Sequence, residues 1–286
     1  MIRDREYNPS DDELIYHYCR ARAFVEITNN RSIWLSAYWT MNDETERQWG
    51  CAAFKKATKE LQQEVDQAFL DQVYNPINVS FLSSVVMISS FSLDGDVQSQ
   101  WVKYADDGRG FAIGFSAKLM KHLPVRHLRV LYDENLQIRE LLGNLRHIYE
   151  YEKSIGFKYD EQFQTHLFYL GGDLCAYKNP AFKEEQEIRL VHMSGFVPVG
   201  DSGSIMALGA RDEHGRRRHR PLKIHFRDNN GIVTPYVILD YSKSGPILPI
   251  KEVLLGPRNE NAESNIKVFL NTIGMKDVVV RRSRVG

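Results

Sequence analysis

Two apolar runs constrain the fold of this chain more than any other feature: Val85–Phe91, VVMISSF, and Phe111–Phe115, FAIGF. Neither alternates polar with apolar residues, so each reads as a strand covered on both faces. Between them lie a turn, Ser92-Leu93-Asp94-Gly95-Asp96, a helical segment Val97–Tyr104, and the stretch Asp106-Asp107-Gly108-Arg109-Gly110. Gly108, Gly110 and Gly114 precede or sit within a strand and open no helix. They are therefore not a dinucleotide-binding fingerprint, and no Gly-x-x-x-x-Gly-Lys-Ser/Thr loop occurs.

Around this pair the rest of the chain falls into short elements. Leu14–Cys19 predicts a strand with His17 on the opposite face from Tyr16 and Tyr18, followed by a helix over Ala21–Asn29 and a strand over Ile33–Ser36. Phe54, Ala57, Leu61, Val65, Ala68 and Val73 recur at helical spacing and predict one amphipathic helix over Ala52–Tyr74. Leu136, Leu141, Leu145, Ile148 and Tyr149 mark a second helix, and Phe163, Leu167, Leu170 and Leu174 a third, with a joint at Gly156. Gly195–Gly215 reads as loop. Strands are expected over Leu222–Phe226, Ile232–Leu239, Val253–Leu255 and Val278–Val280, and a helix over Ala262–Ile273 closed by Gly274. No internal repeat or linker divides the sequence. The expectation is one α+β domain over 1–286: a mainly antiparallel sheet with helices inserted at 52–74 and 134–177.

Charge excludes some partners and localises others. With 37 basic and 37 acidic residues the formal net charge is zero, so no global field draws in nucleic acid or an anionic membrane. Anion binding must be local. No run of eighteen apolar residues occurs and the first residues lack a signal-peptide core, which leads to the expectation of a soluble, cytoplasmic protein without membrane contact. Cys19, Cys51 and Cys175 are odd in number and widely spaced, which argues for packed thiols over disulfides or zinc ligands. No metal site is expected, since no His-x-x-x-His or carboxylate pair stands at helical ligand spacing.

Polar groups interrupt three strands. If Glu187–Val191 is a strand, Ile188 and Leu190 point into a core while Glu185, Glu187 and Arg189 share the other face. On this segment alone, a solvated edge strand with a surface ion pair fits equally well. His17 and the Ser90-x-Ser92 pair also stand among apolar neighbours, where a hydrogen-bonded structural histidine and turn-forming serines are the ordinary reading. The run Arg216-Arg217-Arg218-His219-Arg220 is the one local excess of charge: a solvated loop, or a phosphate-contacting loop helped by Arg281, Arg282 and Arg284.

Five stretches, YHYC, IWLSAYWTMNDETE, SSFSLDGDVQSQWVKYADDGRGFAIGF, YKNPAFKEEQEIRL and VLLGP, give the chain a resemblance to a bacterial family known as domain of unknown function 2971. The order of motifs, a first-strand His, then hydroxyls and a Tyr, then a Glu opening a later strand, also resembles the ADP-ribosyltransferase fold. That resemblance implies a split, mainly antiparallel sheet and an NAD-dependent mono-ADP-ribosyltransferase. Its acceptor would be a nucleic acid (RNA or DNA) or a protein, and its setting that of a bacterial toxin or antiphage defence effector, with an antitoxin protein as a candidate partner. It further implies that Glu187 binds a ribose hydroxyl beside the reacting carbon and that Glu185 orients or deprotonates the acceptor. His17 would hold the adenosine-side ribose, Tyr104 or Trp101 would stack on the nicotinamide, and Tyr18 would stand among the NAD contacts. Ser90 or Ser92 would position the ribose or the glutamate, and Arg189 would pair with a glutamate or the pyrophosphate. Arg216, Arg217, Arg218 and Arg220 would carry a nucleic-acid acceptor. The stacking tyrosine could equally be Tyr16 or Tyr38, and the motifs mix features of two transferase subclasses. The competing reading is a non-catalytic nucleotide- or nucleic-acid-binding module of the same fold.

Overall fold

The computed structural model of the protein describes residues 5–40, 44–75, 86–200, 202–208, 220–229 and 231–285. Among these, ten strands join in one mixed sheet. Its path runs β12 (Val279–Arg282), β11 (Ile250–Leu255), β4 (Phe111–Ser116), β1 (Leu14–Cys19), β3 (Val86–Ser92), β2 (Ser32–Ala37), β10 (Ile232–Asp240) and β9 (Ile224–Asn229). Two more strands, β6 (Glu187–Met193) and β5 (Arg126–Arg129), extend from β3. All pairings are antiparallel except that of β11 with β12. This is the mainly antiparallel α+β architecture expected.

The sheet forks along β3. On one side β3 pairs with β6 over its whole length. On the other, Ser92 pairs with Tyr16 of β1, whereas Ile88 and Met87 pair with Ser36 and Ala37 of β2. At the fork, His17 Nδ1 donates to the carbonyl of Ser90 at 3.0 Å, doing for that carbonyl what a neighbouring strand would otherwise do. The carbonyl only accepts, so it selects the tautomer with its proton on Nδ1. Burial lowers the His17 pKa against the opposing pull of that bond, which keeps the ring neutral near pH 7.

Strand alternation gives the two faces different cores. Ile15, Cys19, Leu35, Phe91, Ile113, Phe115, Ile188, Leu190 and Val237 face one side. There they meet Phe24 and Ile27 of α1 (Ala21–Asn30) and Ile266 and Leu270 of α7 (Glu263–Thr272). The other face is covered near β1 and β4 by Trp101 of α4 (Gln98–Tyr104), packed on Tyr18, Ala112 and Leu254. A helical group joins it around β5 and β6. It comprises α2 (Glu44–Leu61), α3 (Gln67–Val73), α5 (Glu134–Ser154) and α6 (Glu161–Asp173), with a core of its own built on Phe54, Leu61, Phe69, Leu145 and Phe163.

Two expectations are corrected, and one open alternative is decided. The helix expected over 52–74 is two helices, α2 and α3, because the chain turns at 62–66. There Tyr149 donates to Asp66 at 2.9 Å and Arg146 grips Glu64 with two bonds, and the turn lets Phe69 reach Tyr149 and Phe163. The region after Gly195 is not all loop: β7 (Gly195–Val199) and β8 (Ser202–Met206) form a separate hairpin. Its strands are short and largely exposed, so little apolar periodicity announces them. Finally, β6 is no solvated edge strand; it lies between β3 and β5 and is buried from Glu187 to His192. All three cysteines are free; Cys19 and Cys175 are buried and burial pushes both thiols up, Cys175 to about 12.

If the imidazole holds the fork, His17→Leu leaves the Ser90 carbonyl unpaired and costs about 1–2 kcal/mol of stability. A lower urea midpoint at unchanged slope is the expected result; a midpoint equal to that of the unmodified chain would remove this role from His17.

Candidate functional site

On the helix-covered face of β6, two short 3-10 segments and a left-handed turn bring charged side chains together. Leu174–Ala176 ends α6, and Pro180–Glu185 starts behind an Asn179 cap and stops at Gln186, whose φ is 42°. Glu185 therefore precedes the strand rather than lying in it. The kink still aims its carboxylate at the same place as Glu187, the first residue of β6.

Arg189 is the centre of the cluster and is 1% exposed. It grips Glu187 with two bonds, Nε to Oε1 at 2.8 Å and Nη2 to Oε2 at 2.9 Å. Its remaining donors go to Glu46 of α2 and to the carbonyl of Cys175, and the guanidinium lies 5.7 Å from the Tyr38 ring. Lys178 completes the cage: its ammonium donates to Glu187 at 2.9 Å and to Glu185, and stands 3.7 Å from Glu46. The backbone N–H of Glu187 donates to the Tyr132 hydroxyl at 3.0 Å.

Burial would raise the Glu187 pKa, but Arg189, then Lys178, and hydrogen bonds from Arg189 and Ser90 overcome it and hold the carboxyl at about 2. The Arg189 pKa is lowered by burial and raised far more by Glu187 and Glu46. Lys178 is likewise raised: burial and Arg189 lower its pKa, and Glu187, Glu46 and Glu185 together outweigh them. Counted formally, the carboxylates of Glu46, Glu185 and Glu187 face two buried cations, Lys178 and Arg189, and the excess of one negative charge is met by a third cation, Lys103, at the surface.

That excess points toward one rim. Glu185 Oε1 accepts from the Tyr104 hydroxyl and from Lys103, each at 3.3 Å, and the Lys103 side chain is 45% exposed. Its ammonium lies 5.0 Å from the Tyr104 ring and 4.7 Å from that of Phe182. The Tyr104 pKa is pushed up by burial, then by Glu185, Glu187 and Glu46, so the phenol stays a protonated donor. Glu185 and Glu187 are buried to nearly the same degree, and Glu185 is the one that meets the exposed Lys103.

Of the residues singled out in the sequence, Glu185, Glu187, Arg189, Ser90, Tyr104 and Tyr38 meet here. The others do not join them. Tyr16 pairs across the sheet with Ser92, and Ser92 with Glu187, so His17 projects from the opposite face, where its ring packs 5.3 Å from Phe91. Trp101 and Tyr18 are core residues: the indole donates to Asp96 at 2.8 Å, and the Tyr18 hydroxyl joins the Asp94 carbonyl to the Val97 N–H. Ser92 Oγ accepts from the Asp94 N–H at 3.1 Å, closing a turn. Arg216, Arg217 and Arg218 lie outside the described residues, and Arg220 is exposed. At the carboxyl end, Arg281 is bound to Glu252 and Arg282 to the Asn259 carbonyl.

Sequence reasoning missed Glu46 and Lys178 as members. Both were inside quoted motifs, in NDETE and YKNP, and the available signal was a lysine adjoining the apolar run LCAY.

Residues 100–190 match the model of a family described as Protein of unknown function (DUF2971). The matched segment takes in Lys103, Tyr104, Lys178, Glu185, Glu187 and Arg189, and leaves Tyr38, Glu46 and Ser90 outside it. No curated protein matches the chain, and no solved structure does. Among the described residues no helix is long and apolar enough to cross a membrane.

Because the folded-state pKa of Glu187 is depressed, its stabilising contribution is present above the ordinary carboxylate range and is lost as pH falls toward about 2. Glu187→Gln strands buried cations and should cost about 3–5 kcal/mol at pH 7. Thermal unfolding of both proteins from neutral pH down to acid checks this: the gap in Tm should narrow below about pH 4. A gap independent of pH would show that ionisation of Glu187 is not the source.

Proposed function

We propose that the Glu187 cluster is the reaction centre of an NAD-dependent mono-ADP-ribosyltransferase acting on a nucleic acid or protein acceptor. The observation that carries this reading is a buried carboxylate, ionised at all physiological pH and held between Arg189 and Lys178. The residues fit the substrate. Breaking the glycosidic bond of NAD builds positive charge on the ribose, which a fixed anion stabilises without having to accept a proton. NAD supplies the ADP-ribosyl group and nicotinamide as the neutral leaving group. Glu187 offers the charge, Arg189 and Lys178 hold it in place, and Glu185, beside Tyr104 and Lys103, faces the rim from which an acceptor arrives. His17 takes no part in substrate contact in this reading; its ring nitrogen is engaged with the Ser90 carbonyl.

A second reading has its own observation. Both carboxylate oxygens of Glu187 are already engaged by Arg189 and Lys178, which suits a module that binds nucleotide without turning it over.

Incubation of the purified protein with labelled NAD and cell extract separates the two. The transferase releases nicotinamide and labels a macromolecule, and Glu187→Gln lowers both by about a hundredfold or more. Glu185→Gln, nearer the rim, should reduce macromolecular labelling more than nicotinamide release. Equal behaviour of Glu187→Gln and the unmodified protein would sink the catalytic assignment. Saturable NAD binding with no nicotinamide released would establish the binding module.

A further inference from the structure

The face of the sheet that bears Glu187 continues past the fork onto β2, β10 and β9, and there its chemistry changes. Cross-strand pairing sets His225 beside Tyr236, Tyr236 beside Ser36, and Ser36 beside Ile88. Ile33, Leu35, Val237 and Leu239 face the other way, into the core that also holds Phe24 and Ile27 of α1, while Ile238 stays on the near side opposite Trp34. With it on the near side is a row of rings. Trp34 and Tyr236 have centroids 4.5 Å apart at 32°, and His225 follows Tyr236 at 5.4 Å and 31°. Trp34 is 41% exposed, an unusual place for the largest side chain unless something covers it.

Arg227 lies over this row, 5.2 Å from the Trp34 ring and 5.9 Å from that of Tyr236. Nη2 donates to the Ser36 hydroxyl at 2.9 Å, while Nε is buried with no acceptor. No carboxylate among the described residues acts on it; burial lowers its pKa and only Tyr236 opposes. The contrast with Arg189 is plain, since that guanidinium has two carboxylates and a carbonyl. A half-buried guanidinium with a vacant donor and no counterion is an incomplete anion site.

The geometry points to single-stranded nucleic acid as the partner of this face, with Arg227 taking a backbone phosphate and Trp34 stacking on a base. A phosphate supplies the missing anion and acceptor together, and an exposed ring beside it suits a base face, which an acidic peptide lacks. The face runs out to β9, the last strand of the sheet's path, so an extended strand can lie across it. Arg220 stands exposed where the chain approaches β9. With a net charge of zero overall, such binding depends on this local arrangement. The assignment is independent of the reaction proposed above, because it needs neither NAD nor turnover.

Fluorescence anisotropy of labelled oligo(U) and oligo(dT) of roughly twelve nucleotides, without NAD, tests it. The protein should bind, and affinity should fall with salt. Trp34→Ala and Arg227→Gln should each weaken binding about tenfold, and Arg227→Gln should reduce the salt dependence by about one phosphate contact. Arg227→Lys keeps the charge and should fall between, while Val233→Ser, exposed on the other face, should change nothing; thermal unfolding checks that each variant is folded. Absence of binding by the unmodified protein, or undiminished binding by folded Trp34→Ala and Arg227→Gln, overturns the assignment. So does displacement by polyglutamate as readily as by unlabelled oligo(U), which would favour an acidic peptide. Binding of AMP or pyrophosphate but of neither oligonucleotide overturns it in favour of a free nucleotide.

Discussion

Arg189 is the interaction on which the rest of this structure depends. A guanidinium cannot shed its charge in a protein, so burying it to 1% exposure requires acceptors on every side. Those acceptors come from β6 itself, from α2 through Glu46 and from the end of α6 through the Cys175 carbonyl. The helical group and the sheet are thereby keyed to each other at one point, in addition to their apolar packing. Such a cluster is poor evidence of stability, because well-packed apolar groups of similar volume do as well or better. In the function proposed above, the buried, strongly perturbed carboxylate serves a task at the half-exposed rim beside it.

The fork decides which residues can share that task. Along β3 the ladder passes from β1 to β2, and the gap is closed by a side chain, His17, rather than by backbone. A histidine used this way is a structural hydrogen-bond donor whose neutral state is maintained by burial. It also shows why the order of motifs along a chain is weaker evidence than the face each side chain occupies. His17 and Glu187 occur in the order that suggested a common cleft, yet Tyr16, and not His17, shares a face with Glu187.

Much of the sheet was legible because its strands are apolar on both faces or alternate cleanly: β1, β2, β3, β4 and β10 are all marked by their own residues. The break between α2 and α3 was not, since helical spacing continues through Val65 while the turn is held by distant partners, Tyr149 and Arg146. The β7–β8 hairpin escaped for the opposite reason: its strands bury little, so little periodicity marks them. In the site, the Glu-x-Glu-x-Arg pattern correctly signalled a charged wall. It did not reveal that the wall is dry, because burial of β6 comes from β5 and the helical group rather than from β6 itself. Glu46 and Lys178 are contacts of tertiary structure, and no local spacing links them to Glu187.

Two arginines on one face of the sheet divide the molecule. Arg189 is saturated with acceptors under the helices, while Arg227 stands among aromatic rings with a donor unused. Between them along that face run Tyr236, Ser36, Ile88 and Val191, one on each strand from β10 to β6. The neutral net charge hides this division, because a sum does not record where along one face a cation meets its partner. Were the two halves to serve one reaction, Arg227 would hold a polyanionic acceptor and the Glu187 carboxylate would face the developing cation.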